Sequence, residues 1–258
     1  MIKSLVLSIL MLLGLVFSMN AQQMPFTNEA VRLCQDKKYD AALAKIEEAK
    51  QHQEELDNAY LWYVDGFIHK EIFKQNELSN RKSKHRELAT ESFLKSLEMD
   101  KLNQHSSMTK LSLKFIASSY YNDALMQTRE FVSESEGEPS ASFARFKKLM
   151  HYAEPGSSLK KFDIEFYKSM GQRYFQLWQM DIENVSLAEK SVDYYNDVVR
   201  QDTTDSDAYY NIAVVFYNRA VFKYRKIGPD TDIFDLIVIQ QECADLIKGK
   251  ALINMNTA

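Results

Sequence analysis

Glycine and proline are scarce in this chain, seven and four among 258 residues, which leaves little to punctuate a sheet-rich fold and favours helices. Cysteine occurs only at Cys34 and Cys243, with no Cys-x-x-Cys pair. The five histidines, His52, His69, His85, His105 and His151, are dispersed, and none has another histidine four residues away, the spacing that puts two ligands on one helical face. A glycine-rich phosphate loop, a Gly-x-Ser-x-Gly elbow and a local Cys/His signature are missing as well. These absences argue for a protein that is not an enzyme, with no catalytic residue, no metal and no cofactor. Positive charge is also in short supply: 32 bases against 36 acids give −4. That mild acidity argues against a nucleic-acid partner, whose binding surfaces are strongly basic.

A long membrane-spanning run is lacking, but a shorter apolar one is present. Lys3 is followed by the stretch from Leu5 to Phe17, then by Ser18, Asn20 and Ala21. A basic end, an apolar centre and small residues read as a secretory signal peptide over residues 1–21, cut after Ala21, with Met19 an imperfect fit to the small-x-small rule. An uncleaved anchor is the alternative, although a comfortable span needs roughly 20 apolar residues. No cysteine follows the run to accept a lipid. Cleavage would remove one lysine and no acid, leaving 31 bases against 36 acids and a charge of −5. The mature chain, residues 22–258, is then expected to be soluble, without a membrane span, in the periplasm or outside a Gram-negative bacterium.

What the chain has in quantity is aromatic residues, 12% of the total, and they recur with small residues at helical spacing. Phe26, Ala30 and Leu33 are followed by Ala42, Ile46 and Ala49, with 16 residues from Phe26 to Ala42. Trp62, Gly66 and His69 are followed by Ala89, Phe93 and Ser96 at a separation of 27, which calls for longer helices joined by a basic turn around Asn76 to His85. Met108, Leu111, Ser112 and Phe115 open a third helix. Its partner is either Tyr121 to Leu125 or, preferably, the segment with Phe146, Met150 and Ala153, because Ser133 to Ser140 has loop composition. Tyr167, Gly171 and Tyr174 pair with Ser191, Tyr195 and Val198. Ser206-Asp207 caps a helix with Tyr209, Ala213 and Phe216, which turns at Gly228-Pro229-Asp230 and returns through Ala244, Ile247 and Ala251.

A bulky residue, a small residue and a ring on one helical face let neighbouring helices approach closely. Over nearly the whole mature chain these residues resemble the tetratricopeptide repeat (TPR) superfamily as a divergent member. The resemblance implies an all-α fold, a TPR-like superhelix (solenoid) of about five helix pairs with extended inter-helix turns. Its approximate units are 23–57, 58–103, 104–158, 162–205 and 206–258. The alternative is an irregular helical bundle with the same periodicity. In an open stack Cys34 and Cys243 would lie in the first and last units, too far apart for the roughly 7 Å that a disulfide allows between Cα atoms, so two unpaired thiols are expected.

The resemblance also implies a function, a concave groove that binds a protein or peptide through the first helix of each pair. The groove residues would be Lys168, Gln172, Asp207, Tyr210, Asn211, Tyr217 and Asn218, with Lys168, Gln172 and Asn211 looking like part of the clamp with which some family members hold a peptide's terminal carboxylate. A second reading is a structural subunit of a cell-envelope complex. It is suggested by Ala251 to Met255, where the sequence stops without a polar capping helix. The basic cluster Arg81, Lys82, Lys84, His85 and Arg86 reads either as a patch for an anionic partner or as a hydrated turn.

Overall fold

The computed structural model describes residues 24–132, 137–229, 231–241 and 244. The described residues are mostly helical and contain no strand. The helices are α1 (Pro25–Gln35), α2 (Tyr39–Ala49), the single turn α3 (Gln53–Leu56), α4 (Ala59–Ile72), α5 (Lys84–Met99), α6 (Ser106–Glu130), α7 (Gly137–Ala153), α8 (Lys160–Met180), α9 (Val185–Gln201), α10 (Ser206–Arg225) and α11 (233–241). A π-helical segment, Phe73–Glu77, continues α4. The chain divides into two compact units. One comprises the chain to Tyr120 with Arg145–Gly156, and the other comprises Tyr121–Ala144 with the chain from Ser157.

In the first unit α1 packs on α2, α4 on α5, and α4 touches both α1 and α2. Ala30, Ala42, Ile46 and Ala49 are buried where the first pair meets, with Leu61, Val64 and Ile68 of α4 behind them. Pro25 opens α1, where a missing N–H costs nothing. The N–H groups that follow are held from a distance: the buried Glu55 carboxylate, on α3, accepts from Phe26 N (3.2 Å), Thr27 N (2.9 Å) and Thr27 Oγ1 (2.6 Å). An anion at a helix N-terminus is favoured by the unpaired donors and by the dipole, and here it arrives 28 residues later in sequence.

The α4/α5 hairpin closes on a missing side chain. A Cβ at Gly66 would lie 2.7 Å from the Phe93 ring, so only glycine lets the buried ring seat against the backbone of α4. Ser96 Oγ then donates to Ala59 O across the same seam (3.0 Å). In the second unit α8 and α9 repeat this arrangement. A Cβ at Gly171 would lie 2.9 Å from Tyr195, and Ser191 Oγ donates to Gly171 O (2.8 Å). Burial raises the Tyr195 phenol to about 12. Beyond α9, α10 packs against it with Ala208, Ile212, Val215 and Ala220 buried.

Several boundaries differ from those read in the sequence. The loop expected up to Ser140 ends sooner, because α7 starts at Gly137 and places Pro139 in its first turn, a position proline tolerates. Tyr121 to Leu125 belong to α6, and Phe146, Met150 and Ala153 lie buried on α7. The cap of α10 is Asp205, whose carboxylate accepts from Ala208 N (2.9 Å), one residue before the expected Ser206. The basic turn is shorter than expected, since the π-helical segment extends α4 to Glu77 and α5 begins at Lys84. Arg86 is buried between the rings of Phe73 (5.4 Å) and Tyr120 (4.0 Å) and belongs to the packing of the first unit. Cys34 is buried and unpaired, while Cys243 and the chain after Ala244 lie outside the described residues, as does the whole of 1–21.

Candidate functional site

Two faces carry aromatic side chains that the packing covers only in part, one in each unit. In the first unit they surround a cavity of about 450 Å³, bounded by Val31, Cys34 and Gln35 of α1, Lys37 of the next turn, Tyr39 of α2, Tyr60, Tyr63, Val64, Phe67, Ile68 and Glu71 of α4, Gln75, and Met108 of α6. Tyr60, Tyr63 and Phe67 follow one another along α4 at i, i+3 and i+7, so they stand on one face. Their centroids are 6.2 Å apart for Tyr60 and Tyr63 and 6.0 Å for Tyr63 and Phe67. Tyr60 also lies against His105, at 4.9 Å. Each of these three rings is half-buried, with one side on the core and one toward the cavity.

Charge on the cavity wall is largely accounted for. Glu71 pairs with Lys70 at 2.9 Å, and the Lys70 ammonium sits 4.1 Å above the Phe67 ring. Burial pushes the Cys34 thiol up, Glu71 adds to the rise and Lys70 opposes it. Burial likewise raises the Tyr60 and Tyr63 phenols. The wall therefore offers neutral rings, a protonated thiol and the amides of Gln35 and Gln75, which suits contact and hydrogen bonding more than proton transfer.

Behind the cavity, α4 faces a buried polar node. Asp65 accepts from Ser92 Oγ at 2.7 Å and pairs with Lys50 at 3.3 Å, and His69 Nε2 lies 3.7 Å from it. The other ring nitrogen of His69 meets His85 Nδ1 at 2.8 Å. Burial pushes His69 below its ordinary value, Asp65 opposes the shift and His85 reinforces it. A contact between two imidazole nitrogens needs one donor and one acceptor, so the pair cannot hold a proton on both facing nitrogens. Among the described residues no group of three or more His, Cys, Asp and Glu side chains is placed to hold a metal.

In the second unit the structure brings part of the expected groove together. Lys168 of α8 pairs with Asp205 (2.7 Å) and Asp207 (3.4 Å). Its burial favours the neutral amine, but the two carboxylates outweigh that effect and raise its pKa. Asn211 Nδ2 donates to Asp207 O at 2.8 Å. Gln172, one turn from Lys168, is exposed. A peptide carboxylate arriving here would meet the two aspartates already paired with Lys168, whose like charge makes a poor arrangement for a clamp. The tyrosines are more available: Tyr210 is 68% exposed and Tyr217 63%, with Asn218 half-buried beside them. Tyr224, seven residues beyond Tyr217 and 64% exposed, extends the row.

Sequence reading missed the cavity because Tyr60, Tyr63 and Phe67 satisfy the same apolar count as core residues. The usable signal was a second apolar face on α4, offset from Leu61, Val64 and Ile68. The His69–His85 contact carried no signal, since 16 residues and a change of helix separate the two rings. The class that emerges is an all-helical protein of paired helices presenting aromatic faces. No protein-family model matches the chain, and no curated protein matches it in sequence.

Proposed function

We propose that this protein is an exported, non-enzymatic helical-repeat scaffold, a divergent TPR-like solenoid, that binds a protein or peptide on the concave face made by the first helices of its pairs. One observation carries the reading. Helices α4 and α10 bury one face in their own units and hold rings on another, Tyr60, Tyr63 and Phe67 in one case and Tyr210, Tyr217 and Tyr224 in the other. Rings left partly or largely uncovered suit recognition, because each covers much area at small entropic cost. The leader-like residues 1–21 support export to the periplasm or beyond.

Affinity capture from a native envelope, with the mature protein and its Tyr210→Ala and Lys168→Glu variants, tests the reading. Partner recovery should fall for Tyr210→Ala. Recovery unchanged in both variants and in Tyr60→Ala would remove the concave face as the binding surface.

A second reading is favoured by α11, where Ile233, Phe234, Ile237 and Val238 are all exposed on one arc of the helix. It is a structural subunit that docks into a larger envelope complex through its flanks and terminal helix. Charged replacement of Phe234 and Ile237 separates the two readings, since it abolishes assembly in the second and spares peptide binding in the first.

A further inference from the structure

We propose that the cavity bounded by α1, α4 and α6 is an anchor pocket that takes one large uncharged side chain, aromatic or bulky aliphatic, from an extended peptide segment. The inference rests on the peptide-binding reading above and names the chemistry that the binding face selects.

Size is the first argument. A volume of about 450 Å³ lies within the roughly 300–1,000 Å³ of sites that engulf organic ligands, and it exceeds the gaps left by imperfect packing, which rarely outgrow a water molecule. Nine of the thirteen bounding residues are apolar or aromatic, so transfer of an apolar group into this space is favourable, at about 25 cal/mol per Å² removed from water.

Charge decides among occupants of similar size. The one carboxylate on the wall, Glu71, already holds Lys70, so a buried ammonium or guanidinium would lose its hydration without gaining an unspent counter-ion. A carboxylate or phosphate would face Glu71, and the only base on the wall is the exposed Lys37. An uncharged group pays neither cost. The hydroxyls of Tyr60 and Tyr63 and the amide of Gln35 leave partners for an indole N–H or a phenol, while Tyr39 and Gln75 bond each other.

The row of rings argues for a peptide as the carrier of that group. Tyr60 to Phe67 spans seven residues of helix, about 10 Å, the length of about three residues of extended chain. One side chain can therefore enter the cavity while its neighbours lie along the half-buried rings and against Met108, which is exposed at the mouth. Without a carrier, a free small molecule would leave this row uncovered.

Cys34 supplies a native reporter, because it lies in the wall and is unpaired. The experiment measures the iodoacetamide alkylation rate of Cys34 in the mature protein by peptide mass spectrometry at mildly alkaline pH. The probes are N-acetyltryptophanamide, N-acetyllysinamide and random peptides selected by display on the immobilised protein. The tryptophan amide should slow alkylation saturably, about tenfold at roughly nine times its dissociation constant, and the lysine amide should not. Selected peptides should carry an aromatic or bulky aliphatic residue whose change to lysine abolishes both binding and protection. Met108→Arg, at an exposed site, should remove protection without lowering the melting temperature, and Tyr60→Ala gives an independent check from α4.

Selected peptides that bind yet tolerate lysine throughout and leave Cys34 reactive would overturn the anchor pocket while leaving peptide binding intact. If no peptide is selected, the peptide-binding reading fails with it, even where the tryptophan amide protects, since the cavity is then a small-molecule site. Protection that appears only as protein concentration rises would make a second copy of the chain the occupant and likewise overturn the proposal.

Discussion

The hairpins α4/α5 and α8/α9 close by the same device and fill the space around it differently. Each sets a glycine of its first helix under a ring of its second, and each ties a serine of the second helix to a backbone carbonyl of the first. Around Gly66 the neighbours are polar and ionisable: Asp65, Lys50, Ser92, His69 and His85. Around Gly171 they are aromatic, with Tyr174 stacked on Tyr194 at 5.6 Å and 13° between planes. Close approach of two helices thus depends on the small residue and the ring, while the flanking positions are free to be tuned. The first hairpin buries a histidine whose pKa its surroundings lower, and the second sets tyrosines in the corresponding place.

Removing the ring should have the largest effect. Phe93→Ala is expected to cost about 3–5 kcal/mol, and Tyr195→Ala a comparable amount, read as a shift of the denaturation midpoint at unchanged slope. A large loss in one hairpin and a negligible one in the other would break the equivalence. Filling the gap from the opposite side is milder. Gly66→Ala and Gly171→Ala each force a ring to move and should each destabilise by about 1–3 kcal/mol, although alanine is otherwise the better helix former.

Acid should separate the hairpins. His69 is held below the 6.5 of a free imidazole, so the unfolded chain binds its proton more readily than the folded one. Stability is therefore complete above about pH 6.5 and falls as the pH drops through that value toward the lowered one. Each hairpin contains one of the chain's two tryptophans, Trp62 on α4 and Trp178 on α8, so their fluorescence in single-tryptophan variants distinguishes the two. The Trp62 signal of the Trp178→Phe protein should respond at higher pH than the Trp178 signal of the Trp62→Phe protein, and His69→Gln should remove the difference. The smallest effect is expected at the exposed row of α10. Tyr217→Ser should change stability by no more than about 0.5 kcal/mol, against a measurable loss of partner binding.

Much of this was legible in the sequence where one residue type performs one local task. Gly66 with Phe93, Gly171 with Tyr195, and the helix containing Phe146 and Met150 could all be placed from helical spacing. What escaped depends on contacts that spacing does not encode. Glu55 reads as one acid in an acidic stretch until the start of α1 is seen resting on it. Arg86 reads as part of a charged turn because the π-helical continuation of α4, which puts Phe73 beneath its guanidinium, has no marker in the residue pattern. Of the expected groove, Lys168, Asp207 and Asn211 do meet, but Asp205, the cap of α10 that holds Lys168 at 2.7 Å, was not among the residues read from the sequence.

Glu55 has a consequence for the order of assembly. The opening turn of α1 has no side-chain cap of its own, and the carboxylate that satisfies it is supplied from α3, after the whole of α2. On a chain emerging from its N-terminal end, the opening turn of α1 is therefore expected to stay uncapped until position 55 has cleared the exit. Pulse proteolysis of nascent chains of increasing length would register that step, and Glu55→Ala would erase it.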